Sequence, residues 1–337
     1  MLSWAETPTL ELDLDRPVAT RYADVPEWAV QNGLALLDAV MKLIPPAARF
    51  LADAVNLRTH GRFREEATAI ARRVGADWRS VMLANVSYDL ALATFGCSTA
   101  ALPTADGPVI ARNMDWWPEA VLARTSVLIR AVRGGRLQFA IAGWPGSIGL
   151  VTGLSGRGFA LVLNAVLSPE GTRRTGYPLL LFLRRVLEEA ADFDAAVHML
   201  TRQTLASPGL ITVVGAQNHQ RVVIERSPGR HALRWAEPDQ PLFATNDYRV
   251  LYPPRSEPAG EPLYQTACTR YQALASAFAK HAPERTVTDA ELLYVLTDPG
   301  IIQGITAQHV ILRPREEGVR LLVPRRLLGE TPEGAAT

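Results

Sequence analysis

The side chains best suited to nucleophilic chemistry lie in Gly96-Cys97-Ser98-Thr99 and in Ala111-Arg112-Asn113-Met114-Asp115-Trp116. A cysteine attacks carbonyl carbon as its thiolate, and an ordinary thiol pKa of about 8.5 falls when a cation sits beside it. Arg112 supplies that cation if Pro103 to Pro108 form the loop of a β-hairpin. Cys97 then faces Met114, and Arg112 lies diagonally across on the same face, at about 7–8 Å, within reach of a guanidinium. Asp115 falls on the opposite face of a regular strand, so the strand is expected to end or bulge there to bring it in. No histidine lies in this stretch, and none of the six in the chain shows a pairing with Cys97. The α-amine of Cys97, with a reference pKa of about 7.7–8.0, can serve as base if Cys97 begins a chain. The bland alternatives are a buried small hydrophobe for Cys97 and a structural ion pair for Arg112 and Asp115.

The elements that must position these residues change character near Phe95. Before it the chain reads as helical: Trp28, Leu34, Leu37, Met41 and Ile44 recur at helical spacing until Pro45-Pro46. A second helix runs from about Arg62 to Val74 and stops at Gly75, and Asp77 caps a third with Val81, Ala84, Tyr88 and Ala91 on one stripe. Beyond Phe95 come short apolar runs separated by turn residues. Ser126 to Val132 pairs with Leu137 to Ala142, Ile148 to Thr152 with Phe159 to Leu163, Leu210 to Val214 with Val222 to Glu225, and His309 to Leu312 with Val319 to Val323. Helices are expected at Leu179 to Ala190, Asp194 to Arg202 and near Thr269 to Lys280. Runs apolar on nearly every residue imply sheets buried on both sides, hence α+β architecture in an αββα four-layer sandwich of antiparallel sheets. The segment Tyr252 to Pro262 reads as a surface loop and the tail after Gly329 as frayed.

Composition narrows the classes. The 337 residues are 48% hydrophobic and 20% charged with a net charge of +1, and the arginines are interleaved with acids, so no nucleic-acid footprint is present. Cys97 and Cys268 are the two cysteines, neither in a metal-ligand pattern, so neither a metal nor another cofactor is expected. Glu6, Glu11, Asp13 and Asp15 occupy the start without a basic or apolar leader, which predicts a cytoplasmic protein. Scarce lysine beside abundant Arg and Ala suggests a GC-rich bacterial genome. The apolar stripe from Trp28 to Ile44 either packs on the rest of the chain or lies on a membrane surface.

Cys97 with Arg112-Asn113-Met114-Asp115 resembles the acid ceramidase and N-acylethanolamine-hydrolysing acid amidase family, N-terminal-nucleophile (Ntn) hydrolases related to the choloylglycine (bile-salt) and penicillin V hydrolases. Asn85, Tyr88 and Asp89 before the nucleophile, the glycine-rich Ile148 to Gly153 with Phe159 to Asn164, Ile211 to Gly215 with Val222 to Arg226, and Thr245-Asn246 extend the resemblance through most of the chain. It implies cleavage between Gly96 and Cys97 into a helical segment 1–96, retained, and a catalytic domain 97–337. It implies Cys97 as nucleophile with its freed amine as base, Arg112 steadying the thiolate and Asp115 orienting the amine. Asn246 would donate to the oxyanion, and Arg270 would be a further active-site arginine. Trp116, Trp117, Trp144 and Asn164 are expected to contact substrate. The activity implied is hydrolysis of N-acyl amides such as ceramide- or N-acylethanolamine-like lipids. Alternatives are acyl transfer of the penicillin acyltransferase type or a non-catalytic binding module. Asn164-Ala165 departs from the family's Asn-Glu, which leaves the acidic pH optimum of its acid enzymes unsupported.

Overall fold

The computed structural model describes residues 3–90, 95–252 and 265–329. Fourteen strands are described: β1 Trp4–Glu6, β2 Thr9–Asp13, β3 Phe95–Leu102, β4 Val109–Trp116, β5 Val127–Arg133, β6 Arg136–Gly143, β7 Thr152–Ser155, β8 Phe159–Asn164, β9 Gly209–Val214, β10 Arg221–Arg226, β11 His231–Trp235, β12 Leu242–Ala244, β13 Thr306–Arg313 and β14 Gly318–Pro324. They form a six-stranded sheet in the order β1-β14-β13-β4-β3-β12 and an eight-stranded sheet in the order β11-β10-β9-β8-β7-β6-β5-β2. The two sheets face each other through Ala101, Ile110, Val310, Ala160, Val162 and Val223. Period-2 alternation sends the other faces outward. Ala100, Leu102, Val109 and Ile311 pack under the helices Ala267–Ala277 and Asp289–Leu296, through Leu274 and Leu292. On the far side the eight-stranded sheet is covered by Leu179–Glu189 and Phe193–Arg202. The layers are therefore α, β, β, α, as the unbroken apolar runs predict.

Before Phe95 the helices are α1 Val18–Arg21, α2 Glu27–Met41, α3 Phe50–Arg58, α4 Arg64–Val74, α5 Trp78–Ala84 and α6 Ser87–Leu90. Gly75 closes α4 in the left-handed region at φ 67°, and Asp77 caps α5 by accepting from Arg79 N at 3.2 Å. The reading of this region as helical is incomplete, because β1 completes one sheet against β14 and β2 completes the other, parallel to β5. The alternation in β2, with Leu10 and Leu12 buried between exposed Thr9, Glu11 and Asp13, was a period-2 signal in a segment short enough to overlook. The parallel pairing also corrects the expectation of purely antiparallel sheets.

Two further expectations change for one reason, the side chain of Asn85. The third helix breaks there into α5 and α6, and the run Ile148 to Thr152 is a strand only from Thr152. Asn85 Nδ2 donates to Val81 O at 2.9 Å and Gly146 O at 3.1 Å, while its Oδ1 accepts from Ile148 N at 2.6 Å and Gly149 N at 3.0 Å. Arg184 Nη1 takes the Ile148 carbonyl at 3.0 Å, so the loop's backbone groups are satisfied by side chains in place of a neighbouring strand. Gly149 is required in this clamp, since a Cβ there would stand 2.8 Å from Leu180 Cβ. Ala91, the loop 253–264 and the tail 330–337, all subjects of sequence expectations, lie outside the described residues.

Tyr88 and Asp89 extend the same junction. Tyr88 Oη donates to Pro208 O at 2.8 Å, and Asp89 Oδ1 accepts from Leu179 N at 3.3 Å. Burial pushes the Asp89 carboxyl up to about 6, so the folded protein holds that proton over a pH range in which the unfolded chain has lost it. The unfolded state therefore gains on the folded one as pH rises from about 4 to about 6. Asp89→Asn removes this pH-dependent loss. Its Tm relative to wild type is expected to rise by several degrees across that window, read by thermal denaturation at matched pH values; a constant difference would mean that Asp89 ionises as freely in the folded state as outside it.

Candidate functional site

β3 and β4 pair in the register that a loop at Pro103 to Pro108 implies, with Cys97 opposite Met114 and Thr99 opposite Arg112. Arg112 therefore lies diagonally from Cys97 on the face turned toward the eight-stranded sheet. Its Nη2 reaches Cys97 Sγ at 2.8 Å and its Nη1 donates to Thr152 Oγ1 at 2.5 Å, the guanidinium being fully buried. The sulfur also approaches Leu163 O at 3.7 Å. Burial pushes the Cys97 thiol up; Arg112, the Ala165 backbone N–H and Arg270 pull it down without overcoming burial, and Asp115 adds to the rise. Burial thus outweighs the cation that the sequence places beside the thiol, because desolvation of the anion is the larger effect.

Asp115 is brought to the site without any break in the β3–β4 ladder. It stands opposite Gly96, whose missing side chain leaves that face clear, and the irregularity lies instead in β13 between Thr306 and Gln308. Thr306 Oγ1 donates to Asp115 Oδ1 at 2.6 Å. Asp115 Oδ2 is buried and has no hydrogen-bond partner among the described residues. Burial raises the carboxyl's pKa, against Arg270, Thr306 and Arg112, which lower it.

Arg270, on the helix Ala267–Ala277, approaches from the opposite face of β3. Its Nη1 donates to Cys97 O at 2.5 Å and Ser98 Oγ at 3.0 Å, and its Nη2 to Asn246 Oδ1 at 2.7 Å. Burial lowers its pKa, opposed by Asp115 and Cys97. The same Asn246 Oδ1 accepts from Cys97 N at 3.0 Å, while Asn246 Nδ2 donates to Ala165 O at 2.8 Å. One of the two amide hydrogens is thus engaged. Cys97, Arg112, Asp115, Asn246 and Arg270 are all brought together.

The other site expectations divide. Trp116 and Trp144 stack edge to face at 5.4 Å between centroids and line a cleft of about 1060 Å³, mouth included, walled by Leu12, Val40, Ile70 and Val151. Trp117 does not line this cleft and is 49% exposed, lying in the bend just past the end of β4 at Trp116. Asn164 does not line this cleft and ties strands together: its Oδ1 accepts from Thr99 Oγ1 at 2.8 Å and its Nδ2 donates to Ala244 O at 3.1 Å. Sequence reasoning missed Thr152, which holds the Arg112 fork, and the Ala165 N–H at the sulfur; a backbone donor leaves no mark in residue type. Among the described residues no group of His, Cys, Asp and Glu could hold a metal ion, and no helix is long and apolar enough to cross a membrane.

The profile of the acyl-coenzyme A:6-aminopenicillanic acid acyl-transferase family matches residues 103–294, more than half of the chain. The chain belongs to that family. The match includes Arg112, Asp115, Asn246 and Arg270 and begins just beyond Cys97. The N-acylethanolamine-hydrolyzing acid amidase of Caenorhabditis elegans is 25% identical over 236 residues, 64% of this chain and 66% of that protein. The acid ceramidase of Balaenoptera acutorostrata scammoni is 24% identical over 190 residues, 49% of this chain and 47% of that one. Each match spans less than two thirds of the relative's own length. A solved structure of a C. elegans N-acylethanolamine-hydrolyzing acid amidase ortholog superimposes with a TM-score of 0.52 at 22% identity, covering 65% of this chain and 93% of that chain. The fold is that of the Ntn hydrolases.

Exposure sets how the two thiols respond to reagents. Cys97 is 2% exposed with a raised pKa, whereas Cys268 is only partly buried. A bulky maleimide added to native protein is expected to label Cys268 and spare Cys97, the reverse of the order that a guanidinium neighbour alone implies. Peptide mapping reads the ratio, and dominant labelling of Cys97 would mean a site more open than this one.

Proposed function

We propose that this family member is a self-processing cysteine amide hydrolase acting on N-acyl amides with an apolar acyl group. The observation that carries the reading is the pairing of Cys97 Sγ with Arg112 while Cys97 N rests on Asn246, with no histidine bonded to the thiol among the described residues. In the uncut chain that nitrogen is an amide and cannot take a proton. Attack of Sγ on the Gly96 carbonyl would move the acyl group from nitrogen to sulfur, and water would hydrolyse the thioester to a Gly96 carboxylate and a free Cys97 amine and thiol. A free amine brings N–H groups that a peptide lacks, and the unpartnered Asp115 Oδ2 is a buried acceptor suited to them.

In turnover the amine accepts the thiol proton, the thiolate attacks the substrate carbonyl, and the resulting ammonium protonates the leaving amine. Water then resolves the thioester. The second Asn246 amide hydrogen and the Ala165 N–H are the donors for the oxyanion, and two buried guanidiniums against the single Asp115 carboxylate favour the added negative charge of either thiolate or oxyanion. The cleft beside Trp116 and Trp144 suits the acyl chain. Exposed Leu43, Phe50 and Leu57 on the N-terminal helical segment, at 52%, 67% and 76%, support contact with a membrane surface from which a lipid amide is drawn. The name of the family favours a second reading in which an amine captures the same thioester. Product analysis with and without added amine separates the two.

Denaturing mass spectrometry of purified protein is expected to show two fragments divided between Gly96 and Cys97, with Cys97→Ala remaining one chain. A fully active uncut preparation would overturn the mechanism. Fluorogenic N-acyl amides should be cleaved by wild type and spared by Cys97→Ala. Asn246→Ala is expected to lower turnover by about a hundredfold or more, since the lost donor acts on transition-state charge. Wild-type turnover in that variant would remove Asn246 from the site.

A further inference from the structure

The lining of the apolar cleft includes a residue whose buried polar atom has no partner among the described residues. Ser87, on α6 and 7% exposed, lines the cleft, and its Oγ is buried with no hydrogen-bond partner among the described residues. The other polar groups of this wall are engaged. Asn85 is consumed by the clamp at Gly146 to Gly149, Tyr22 Oη donates to Glu66 Oε1 at 2.5 Å, Ser147 Oγ accepts from Trp144 N at 3.1 Å, and Trp144 Nε1 donates to Leu122 O at 2.9 Å. Arg73 Nε is a second unpartnered atom, but that side chain is 30% exposed at the rim and is tied to Val25 O at 2.9 Å. An orphaned hydroxyl inside an apolar wall is destabilising, and a bound oxygen relieves it.

We infer that the cleft is built for an acyl chain carrying a hydroxyl or keto oxygen, which Ser87 binds; this rests on the acyl-amide reading above and narrows its substrate class. A serine hydroxyl both donates and accepts, so it serves either group. A site with a buried partner for such an oxygen discriminates against the chain that lacks it, because the hydroxyl is then sealed in unpaired.

The test uses N-acyl amides of equal chain length, plain or bearing one hydroxyl or keto group walked along the chain, with wild type and Ser87→Ala. For at least one position wild type is expected to show about tenfold higher kcat/KM than for the plain chain, and Ser87→Ala to bring that ratio close to one. A wild type indifferent to every position, or a preference that survives in Ser87→Ala, overturns the inference. Competition of free plain and oxygenated fatty acids against a fluorescent fatty-acid probe on uncut Cys97→Ala gives the same comparison without catalysis. If no amide is cleaved but that competition shows a Ser87-dependent preference, the hydrolase reading fails and the oxygen site stands.

Discussion

One buried contact, Arg112 Nη2 on Cys97 Sγ at 2.8 Å, sets the terms for the rest of the site. A guanidinium shut between two sheets carries a large desolvation cost unless it is hydrogen-bonded and its charge is answered. Thr152, Val151 and Asn113 supply hydrogen bonds to Arg112, and the thiol occupies the position where an anion would complete the balance. On the other face of the same strand Arg270 grips the Cys97 carbonyl and Ser98. The strand carrying Cys97 is thus held from both sides by positive charge, with Asp115 answering only part of it. Formation of an anion at Cys97 would improve this electrostatic state, the property on which the proposed chemistry draws.

The second constraint is the junction between the first ninety residues and the rest. β1 and β2 complete one edge of each sheet, while Asn85, Tyr88 and Asp89 engage backbone at Gly146 to Gly149, Pro208 and Leu179. Glu66 and Arg184 add a buried ion pair across the same boundary at 3.5 Å. Backbone pairing of this kind does not depend on chain continuity at Gly96. The clamped loop also runs into Val151, whose carbonyl accepts from Arg112, so the junction and the Cys97–Arg112 pair are mechanically continuous.

The cleft follows from that arrangement. Its walls combine Leu12, Val40 and Ile70 from the N-terminal segment with Trp116, Trp144 and Val151 from beyond Cys97. Neither part encloses it alone. The residues that shape the cleft are therefore separate from those that carry charge at Cys97, which lets the cleft vary in size and polarity without disturbing Cys97, Arg112, Asp115, Asn246 and Arg270.

The sequence by itself determined the layers, the hairpin that carries Cys97 and its register, because apolar runs with period 2 and a short turn leave one pairing that buries every face. Cys97 opposite Met114, Gly75 as a left-handed cap and Asp77 as a helix cap were all legible from local chemistry. Tertiary structure alone decided what depends on distant partners. Ile148 to Val151 has strand composition, yet Asn85 and Arg184 claim its backbone. Trp117 and Asn164 have residue types fit for a substrate site, but Trp117 lies just past the end of its strand and is exposed, and Asn164 ties Thr99 to Ala244. The net rise of the Cys97 pKa was likewise invisible, since Arg112 is plain in the sequence whereas the degree of burial that outweighs it belongs to the folded protein.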